Sequence, residues 1–216
     1  MNRILALYIF LLLCGTVSAQ QIVEWSDLQT ITDNSRRTVY YKKGRKQPLR
    51  GKYRIIRGLD EEHVKLSDGM INGDYHRYRD GVLRESGIYV KGKRNGTFTE
   101  YYQDGVTPRK ETPILQGKID GTVKTYFRNG KIEIEKEYKQ SVENGRERRF
   151  ANKTGKQIFE SHYIDGKKDG EEWEIFEDGR AIRSKTTCHY RNGKLDGSYR
   201  VESTWEGKPY ITIEGQ

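Results

Sequence analysis

The chain has 216 residues, enough for one domain of ordinary size or for an extended array of small units. Only 33% of the residues are hydrophobic, whereas globular domains usually contain about 45–50% apolar residues with glycine included, which argues against a large closed core. Basic residues outnumber acidic ones by 40 to 31, but 15 tyrosines and 23 glycines argue against a disordered chain. Short strands with aromatic side chains and glycine turns fit this composition.

Residues 1–19 have the features of a cleavable signal peptide. Arg3 supplies a positive charge, residues 4–13 form an apolar run, and Val17-Ser18-Ala19 is a small-residue motif suited to cleavage before Gln20. The apolar run is too short to span a bilayer, which takes about 20 residues. We therefore expect a secreted or periplasmic protein, possible association with the cell surface, and an uncleaved membrane anchor as the alternative.

Residues 20–38 match no repeat and are predicted to be an irregular lead-in. A basic stretch with interleaved tyrosines follows, a pattern that can bind polyanions. For an exported protein, an anionic envelope polymer or lipid headgroup is a more accessible target than nucleic acid. The alternative is that these charges only solubilise an extended sheet and blunt its edges. The candidate binding residues are Lys42, Lys43, Arg45, Lys46, Arg50, Lys52, Arg54, Arg57, Tyr41 and Tyr53.

Residues 39–197 contain a repeat with a period of about 24 residues. The stretch Tyr163-Ile-Asp-Gly166-Lys-Lys-Asp-Gly170 returns as Tyr89-Val-Lys-Gly92-Lys-Arg-Asn-Gly96 and as Tyr190-Arg-Asn-Gly193-Lys-Leu-Asp-Gly197. A fixed period of this length indicates that each unit is one supersecondary element. The second glycine of each unit lies at positions 73, 96, 121, 145, 170 and 197, and Gly51 extends the series backward.

The units are predicted to be β-hairpins. Asp-Gly or Asn-Gly between aromatic and branched residues indicates type I′ turns, here at 80–81, 104–105, 129–130 and 178–179. The Gly-x-x-x-Gly segments are then connections between hairpins, and residues 106–113 are an insertion between strands. The expected fold is all-β, an elongated array of successive antiparallel β-hairpins stabilised by stacking on their neighbours.

The spacing of the aromatic residues leaves two geometries open. Tyr75 and Tyr78, like Trp173 and Phe176, are three residues apart, and such residues point to opposite faces of a regular strand. Either a bulge brings both to one face, or one aromatic side chain lies on each face.

The end of the chain is predicted to close the array. Residues 198–216 form a capping hairpin in which Trp205 and Tyr210 cover the last repeat. Cys188 is the one cysteine that remains after signal cleavage, so no intramolecular disulfide is expected. A small residue on a strand explains Cys188 better than a reactive thiol or an intermolecular link.

From about Tyr40 to Trp205, the repeat resembles the MORN repeat (membrane occupation and recognition nexus), and particularly its bacterial variant, some members of which are labelled antitoxins. The residues that carry the resemblance are Tyr-x-Asp/Asn-Gly-Lys-x-Asp/Asn-Gly followed by aromatic-x-x-aromatic-x-Asp/Asn-Gly, most clearly at 89–105, 163–179 and 190–199. The resemblance implies hairpins in a long twisted sheet that serves as a binding or scaffolding surface.

The sequence favours a surface over a reaction. The four histidines have no cysteine or carboxylate beside them at metal-ligand spacing. Glu171, Glu172 and Glu174 could suggest glycoside hydrolysis, but their alternation with Trp173 is typical of a solvated strand face. We predict a protein that is not an enzyme and needs no metal or cofactor, with a hydrolase as the least favoured function.

Two functions remain open. The first is a protein-interaction or scaffolding module at the cell envelope, which recognises an unknown protein partner through an aromatic face or by edge-strand pairing. The second is a binding module for an anionic polymer, glycan or lipid headgroup, which uses the basic stretch. Salt separates the two, because binding through many lysines and arginines weakens steeply as salt rises.

Overall fold

The structure is a computed structural model that describes residues 19–177, 182–205 and 208–215. These residues form one sheet of 17 strands and a second sheet of two. The predicted all-β array of successive hairpins is confirmed. The strands are, in chain order, β1 (Gln21–Glu24), β2 (Leu28–Thr32), β3 (Thr38–Lys42), β4 (Gly51–Arg57), β5 (Asp60–Ser67), β6 (Met70–Arg79), β7 (Val82–Val90), β8 (Lys93–Tyr101), β9 (Pro108–Leu115), β10 (Lys118–Ile119), β11 (Gly121–Tyr126), β12 (Ile132–Lys139), β13 (Val142–Phe150), β14 (Gln157–Ile164), β15 (Lys167–Lys168), β16 (Gly170–Glu177), β17 (Ile182–Arg191), β18 (Lys194–Trp205) and β19 (Lys208–Gly215).

The strands of the large sheet follow one another in chain order. From β4 to β19, each pairs antiparallel with the next, with β10 and β11 as two pieces of one strand and β15 and β16 as two pieces of another. At the other end, β1 pairs in parallel with β4. Neighbouring hairpins therefore share a continuous hydrogen-bonded sheet.

Six two-residue turns close hairpins along one side of the sheet, which we call the tight-turn edge. Both residues of each turn have positive φ, for example 48° at Lys91 and 77° at Gly92, as a type I′ turn requires. Glycine, which has no Cβ, fits this geometry at the second position of five turns, and Ser141 holds that position in the other with φ of 72°. The turns comprise residues 68–69, 91–92, 116–117, 140–141, 165–166 and 192–193.

The opposite side, which we call the long-loop edge, differs from the sequence prediction. The turn at Asp80 and Gly81 is tight, with φ of 51° and 72°, as predicted. The predictions for 104–105 and 129–130 are wrong, because only the glycine of each pair has positive φ and the loops span residues 102–107 and 127–131. A third long loop spans 151–156. The predicted turn at 178–179 lies outside the described residues.

The predicted Gly-x-x-x-Gly connection is also wrong. Its first glycine belongs to the tight turn, and its second lies inside the strand that follows. Three residues of β6 centred on Gly73, where φ is 121°, stand opposite the single residue Lys65 of β5. The same two-residue shift in register occurs at Gly96, Gly145 and Gly197. Each unit thus contains a bulge in which one residue has a positive φ, a conformation that favours glycine.

The Asn or Asp before each bulge glycine links one repeat to the next. The Asn72 Oδ1 atom accepts a hydrogen bond of 3.0 Å from the Lys91 N–H in the following turn. The Gly92 N–H of that turn donates to the Ile71 carbonyl at 2.8 Å. Side-chain acceptors recur at Asn95, Asp120 and Asp169. These Asx-Gly pairs therefore encode contacts between repeats, whereas the sequence pattern alone suggests turns.

Residues 20–38 are not an irregular lead-in. They contain β1, a 3-10 helix (Trp25–Asp27) and β2, which pairs with β3. The β2–β3 hairpin, which we call the covering hairpin, is joined to the tight-turn edge by the Tyr40 N–H, which donates to the Gly69 carbonyl at 2.8 Å. Such a non-local contact leaves no mark in the local sequence pattern.

Two further boundaries differ from prediction. Most of the predicted insertion, residues 106–113, lies in β9, which pairs with β8 along its length. The terminal hairpin consists of β18 and β19, so it begins at 194 and not at 198. The predicted covering role of Trp205 and Tyr210 lies outside the described side chains.

The covering hairpin makes the N-terminal part of the protein two layers thick. Its side chains pack on one face of β4–β8, which we call the core face; the other is the open face. Phe98, only 2% exposed, lies against Tyr75 and Tyr89, with ring centroids 6.3 and 5.5 Å away. The buried cluster comprises Leu28, Tyr40, Tyr53, Ile55, Val64, Leu66, Ile71, Tyr75 and Phe98.

The aromatic side chains three residues apart divide between the two faces. Tyr75 lies in the buried cluster on the core face. Tyr78 lies on the open face, where its ring centroid is 4.7 Å from that of His63. Of the two geometries compatible with the sequence, one aromatic on each face is therefore correct for this unit.

Candidate binding surfaces

The structure does not bring the predicted basic stretch together on one surface. Lys42, Lys43, Arg45 and Lys46 lie at the end of β3 and in the loop that follows, which we call the basic loop. All four are exposed, and none forms an ion pair with another described residue. The basic loop is therefore the part of the predicted site that is both exposed and positively charged.

The rest of the stretch is dispersed over β4 and its ends. Lys52 and Arg54 project from the open face, where Arg54 donates to Glu61 at 2.8 Å. Arg57 projects from the core face and lies 3.6 Å from the ring centre of Trp25. The remaining three predicted residues are placed as follows: Arg50 pairs with Asp68, Tyr41 is half-buried, and Tyr53 is in the core at 6% exposure.

A cleft of about 260 Å³ lies between the covering hairpin and the core face. Arg57, Arg77 and Arg79 line it together with Asp60 and Glu62. Burial raises the pKa of the Glu62 carboxyl above its usual range, against a hydrogen bond of 3.2 Å from the Tyr75 hydroxyl. The cleft is smaller than most ligand pockets, which measure about 300–1,000 Å³. Its three arginines face two carboxylates, and its small volume and mixed charge do not single out a ligand.

Beyond the covering hairpin, charged groups cover the core face. The Glu147 carboxylate is 5% exposed and receives Lys136 Nζ at 3.0 Å, Arg149 Nη2 at 2.7 Å and the Tyr163 hydroxyl at 3.2 Å. Burial alone would raise the pKa of Glu147, but the Lys136 and Arg149 hydrogen bonds outweigh it and hold that pKa below its usual range. The Lys136 ammonium also lies 4.6 Å from the Tyr163 ring centre.

One repeat further on, Lys168 has the same role. Its ammonium lies 4.8 Å from the Tyr190 ring centre and pairs with Glu172. Cys188 lies in register with Glu172, and burial raises the pKa of its thiol. A raised pKa disfavours the thiolate, which is the nucleophilic form, so this position suits a small strand residue.

The open face carries a row of side chains in direct cross-strand register. Near its middle, Glu135 Oε2 is 2.8 Å from Arg148 Nη2, and Glu135 Oε1 is 3.7 Å from Lys124 Nζ. Charge therefore alternates in sign over five strands. The row, which we call the open-face row, comprises Arg54, His63, His76, Ser86, Thr99, Glu111, Lys124, Glu135, Arg148, Glu160, Trp173, Thr187 and Arg200.

The sequence held a signal for this row. Glu111, Glu135 and Glu160 recur at intervals of 24 and 25 residues, the same spacing as the glycines. The two strands of each unit have to be placed in register before the intervening cations can be assigned to the row. A shift of one residue would move the whole set to the other face.

The described residues contain no group of three His, Cys, Asp or Glu side chains that could hold a metal ion. Glu171 lies on the open face, opposite His189, whereas Glu172 and Glu174 lie on the core face. Among all the described residues, no helix is long and apolar enough to span a membrane.

No protein-family model matches the chain, and no curated protein is significantly similar to it. The MORN-like character of the repeat therefore remains an inference from its residues. The surfaces described above carry the functional inference.

Proposed function

We propose that the protein is an exported, non-catalytic repeat protein of MORN-like type that acts as a protein-interaction or scaffolding module at the cell envelope. The observation that carries this proposal is the open-face row. Among the described residues, no element covers it, because the covering hairpin packs on the core face alone. A long, uncovered sheet face is an unusual structure to maintain unless a partner uses it.

The charges of the row suit recognition of a protein surface. Neighbouring strands are about 4.8 Å apart, so Glu111, Lys124 and Glu135 present alternating charge at that interval. Such alternation has little net charge and attracts no polyanion as a whole. It favours a partner whose own charges match the pattern, since complementary charges fix register and exclude wrong partners.

Export rests on the sequence of residues 1–19, which lie almost entirely outside the described part of the chain. A signal peptide places the mature protein where envelope components are its accessible partners. An antitoxin role fits less well, because antitoxins generally act in the cytoplasm.

Site-specific cross-linking tests the proposal. A photo-reactive residue would be placed at Thr99 or Thr187 on the open face, and at Thr154 in the 151–156 loop as control, before incubation with envelope fractions. We expect one protein adduct from both open-face positions that persists at high salt and is absent from the loop position. Lys124→Glu with Arg148→Glu should remove the adduct, whereas Lys153→Glu with Lys156→Glu should preserve it. Equal labelling from all three positions would contradict the proposal.

A second function has its own supporting observation. The basic loop presents four exposed cations without ion-pair partners among the described residues, which suits an anionic polymer, glycan or lipid headgroup. Charge reversal at Lys42, Lys43 and Arg45 should abolish such binding, and binding by the wild type should weaken steeply with salt. Unchanged binding after the triple reversal would exclude this function for the loop.

A further inference from the structure

The tight-turn edge carries a regular set of side chains at the margin of the open face, outside the open-face row. Directly before and after each two-residue turn stands a cross-strand pair. Val90 lies opposite Lys93, and Leu115 lies opposite Lys118. In the later turns, the pairs are Lys139 with Val142, Ile164 with Lys167, and Arg191 with Lys194. Five of the six turns thus present a lysine beside an apolar side chain or an arginine, whereas the turn at 68–69 is flanked by Ser67 and Met70.

These lysines are available to a ligand. Lys93, Lys118, Lys139, Lys167 and Lys194 are all exposed, and none forms an ion pair or a cation–π contact with another described residue. Their apolar partners are also solvent-exposed, from 44% at Val142 to 56% at Ile164. Four of the five lysines thus have an exposed apolar neighbour, and the fifth, Lys194, has Arg191.

The acidic residues near this edge are occupied by the turns themselves. Asp120 and Asp169 accept hydrogen bonds from the N–H groups of Gln140 and Asn192. Asp165 accepts from the Asn144 amide at 3.2 Å. The last two such residues are paired with arginines, Asp196 with Arg191 and Asp68 with Arg50. Their oxygens therefore compete little for the lysines.

One stretch of the edge forms a cleft of about 320 Å³. Val90 and Leu115 supply its apolar wall, and Arg37, Lys91 and Lys93 supply three cations. The remaining lining residues, Asn95 and Gln116, are uncharged. No carboxylate lines this cleft, in contrast to the cleft under the covering hairpin.

The basic loop stands at the beginning of the same edge. The Gly69 N–H donates to the Leu49 carbonyl at 2.8 Å, which repeats the bond from the Gly92 N–H to the Ile71 carbonyl one unit later. By this correspondence, residues 46–47 occupy the turn position that precedes residues 68–69. The four cations of the basic loop therefore continue the row of lysines towards the N-terminal end of the sheet.

We propose that the tight-turn edge is a track for a linear anionic polymer with a carbohydrate or polyol backbone. Anionic groups of the polymer pair with the lysines, and its carbon-rich faces lie on Val90, Leu115 and Ile164. Eight strand steps separate Lys93 from Lys194, which makes the track about 38 Å long. The track lies at the margin of the open face and uses none of the side chains of the open-face row.

The twist of the sheet favours a polymer over a membrane surface. Adjacent strands of a sheet are rotated by about 20–25°, so over eight strand steps the edge turns through roughly 160–200°. A flat bilayer can then contact only part of the row at one time. A flexible chain can follow the edge and engage every lysine.

Dextran sulfate is a suitable probe, because it combines sugar rings with regularly spaced anions. The edge variant carries Lys93→Gln, Lys118→Gln, Lys139→Gln and Lys167→Gln. The control variant has the same charge change on the long-loop edge, with Arg128→Gln, Lys131→Gln, Lys153→Gln and Lys156→Gln, all at exposed positions. Melting temperatures of both variants establish that they are folded.

We expect the edge variant to bind dextran sulfate on the order of tenfold more weakly at low salt, with a salt-dependence slope reduced by roughly three. The control variant should keep most of the wild-type affinity for dextran sulfate. Neutral dextran should not bind, and sulfated fragments shorter than the track should bind more weakly than long ones.

Three outcomes would overturn the proposal. The first is unchanged binding by the edge variant. The second is an equal loss in both variants, which would mean that net charge alone attracts the polymer. The third uses vesicles of phosphatidylglycerol and phosphatidylcholine: if the edge variant loses vesicle binding but keeps dextran sulfate binding, the ligand is a lipid surface. The cross-link expected from the open face of the wild type does not depend on any of these binding results. The two proposals can therefore fail separately.

Discussion

The N-terminal and C-terminal parts of the array share one backbone unit but stabilise it differently. From β4 to β8, the core face carries the apolar cluster on which the covering hairpin packs, together with the buried Glu85 and its partners Arg77 and Arg94. From β12 onward, the equivalent face has no covering strand among the described residues and is lined by ion pairs. The residue two positions after the bulge glycine differs accordingly: it is Tyr75, Phe98 and Val123, then Glu147 and Glu172, and again an aromatic residue, Tyr199, in the last unit.

The two parts therefore share their turns, bulges and inter-repeat caps, and they differ in what packs on the core face. In the C-terminal part, the aliphatic stems and ammonium groups of Lys136 and Lys168 pack over aromatic rings. These side chains cover the rings in place of a second layer. The core face there stays half-solvated, so one strand array can provide both a stable anchor and long accessible surfaces.

The largest predicted effect compares two nearly buried phenylalanines. Phe98 packs on two tyrosine rings, and a single cation, Arg94, lies 4.4 Å from its ring centre. Phe159 is covered by two cations, Arg149 at 4.1 Å and Lys168 at 6.0 Å. Phe98→Ala should cost about 3–5 kcal/mol of unfolding free energy. Phe159→Ala should cost less, because long charged side chains can relax into the space. Urea unfolding measures both, and Phe176→Ala, at 62% exposure, is the control. Equal losses of unfolding free energy for Phe98→Ala and Phe159→Ala would contradict the difference between the two parts.

The bulge glycines should matter equally in both parts. Gly73 and Gly170 have φ of 121° and 109°, and a Cβ at either would meet nothing closer than 3.6 Å. Alanine at each position should therefore cost only the backbone strain, about 1–2 kcal/mol. Thr97→Ala, at an exposed bulge position, should stay within about 0.5 kcal/mol of the wild type. A clear difference between the two glycine variants would show that packing also sets the bulge.

The inter-repeat caps should give a smaller loss, again equal in both parts. Asn72 and Asp169 each accept one bond of 3.0 Å from the next turn. Replacement of either by alanine should cost about 0.5–1.5 kcal/mol. Asn72→Asp keeps the acceptor and should retain stability. If Asn72→Asp were as unstable as Asn72→Ala, the cap would not explain the recurrence of Asx before these glycines.

Acidification should act in opposite directions on the two parts. The pKa of Glu147 lies below its usual value of 4.5 in the folded protein, so its stabilisation is present above that value and is lost as pH falls through the folded pKa. The pKa of Glu62 is raised by burial, so its ionisation penalty is complete above the folded pKa and disappears as pH falls towards 4.5.

Melting temperatures from neutral pH down to pH about 3 test these signs. Relative to Glu147→Gln, the wild type should lose its advantage on acidification. Relative to Glu62→Gln, the wild type should gain. The same pH dependence for both variants would mean that the two carboxylates do not differ as described.

The sequence was sufficient to predict the fold class because the glycine period is local and every unit repeats it. It was not sufficient to assign the turns, since Asn-Gly and Asp-Gly indicate positive φ without distinguishing a type I′ turn at 80–81 from a bulge at Gly73. The covering hairpin was missed because it depends on contacts such as Tyr40 with Gly69. Strand alternation sends Arg54 and Arg57 to opposite faces of the sheet. The basic stretch is therefore continuous in the sequence but is not one site in the fold.

Native-state amide hydrogen exchange tests the central claim most directly. If the covering hairpin makes the N-terminal part the stable anchor, strands β4–β8 should exchange only through global unfolding. Strands β12–β17 should exchange through local openings of lower free energy. Uniform protection along the array, or greater protection in β12–β17, would contradict the account, because it would mean that cations over aromatic rings stabilise the sheet as well as an apolar layer does.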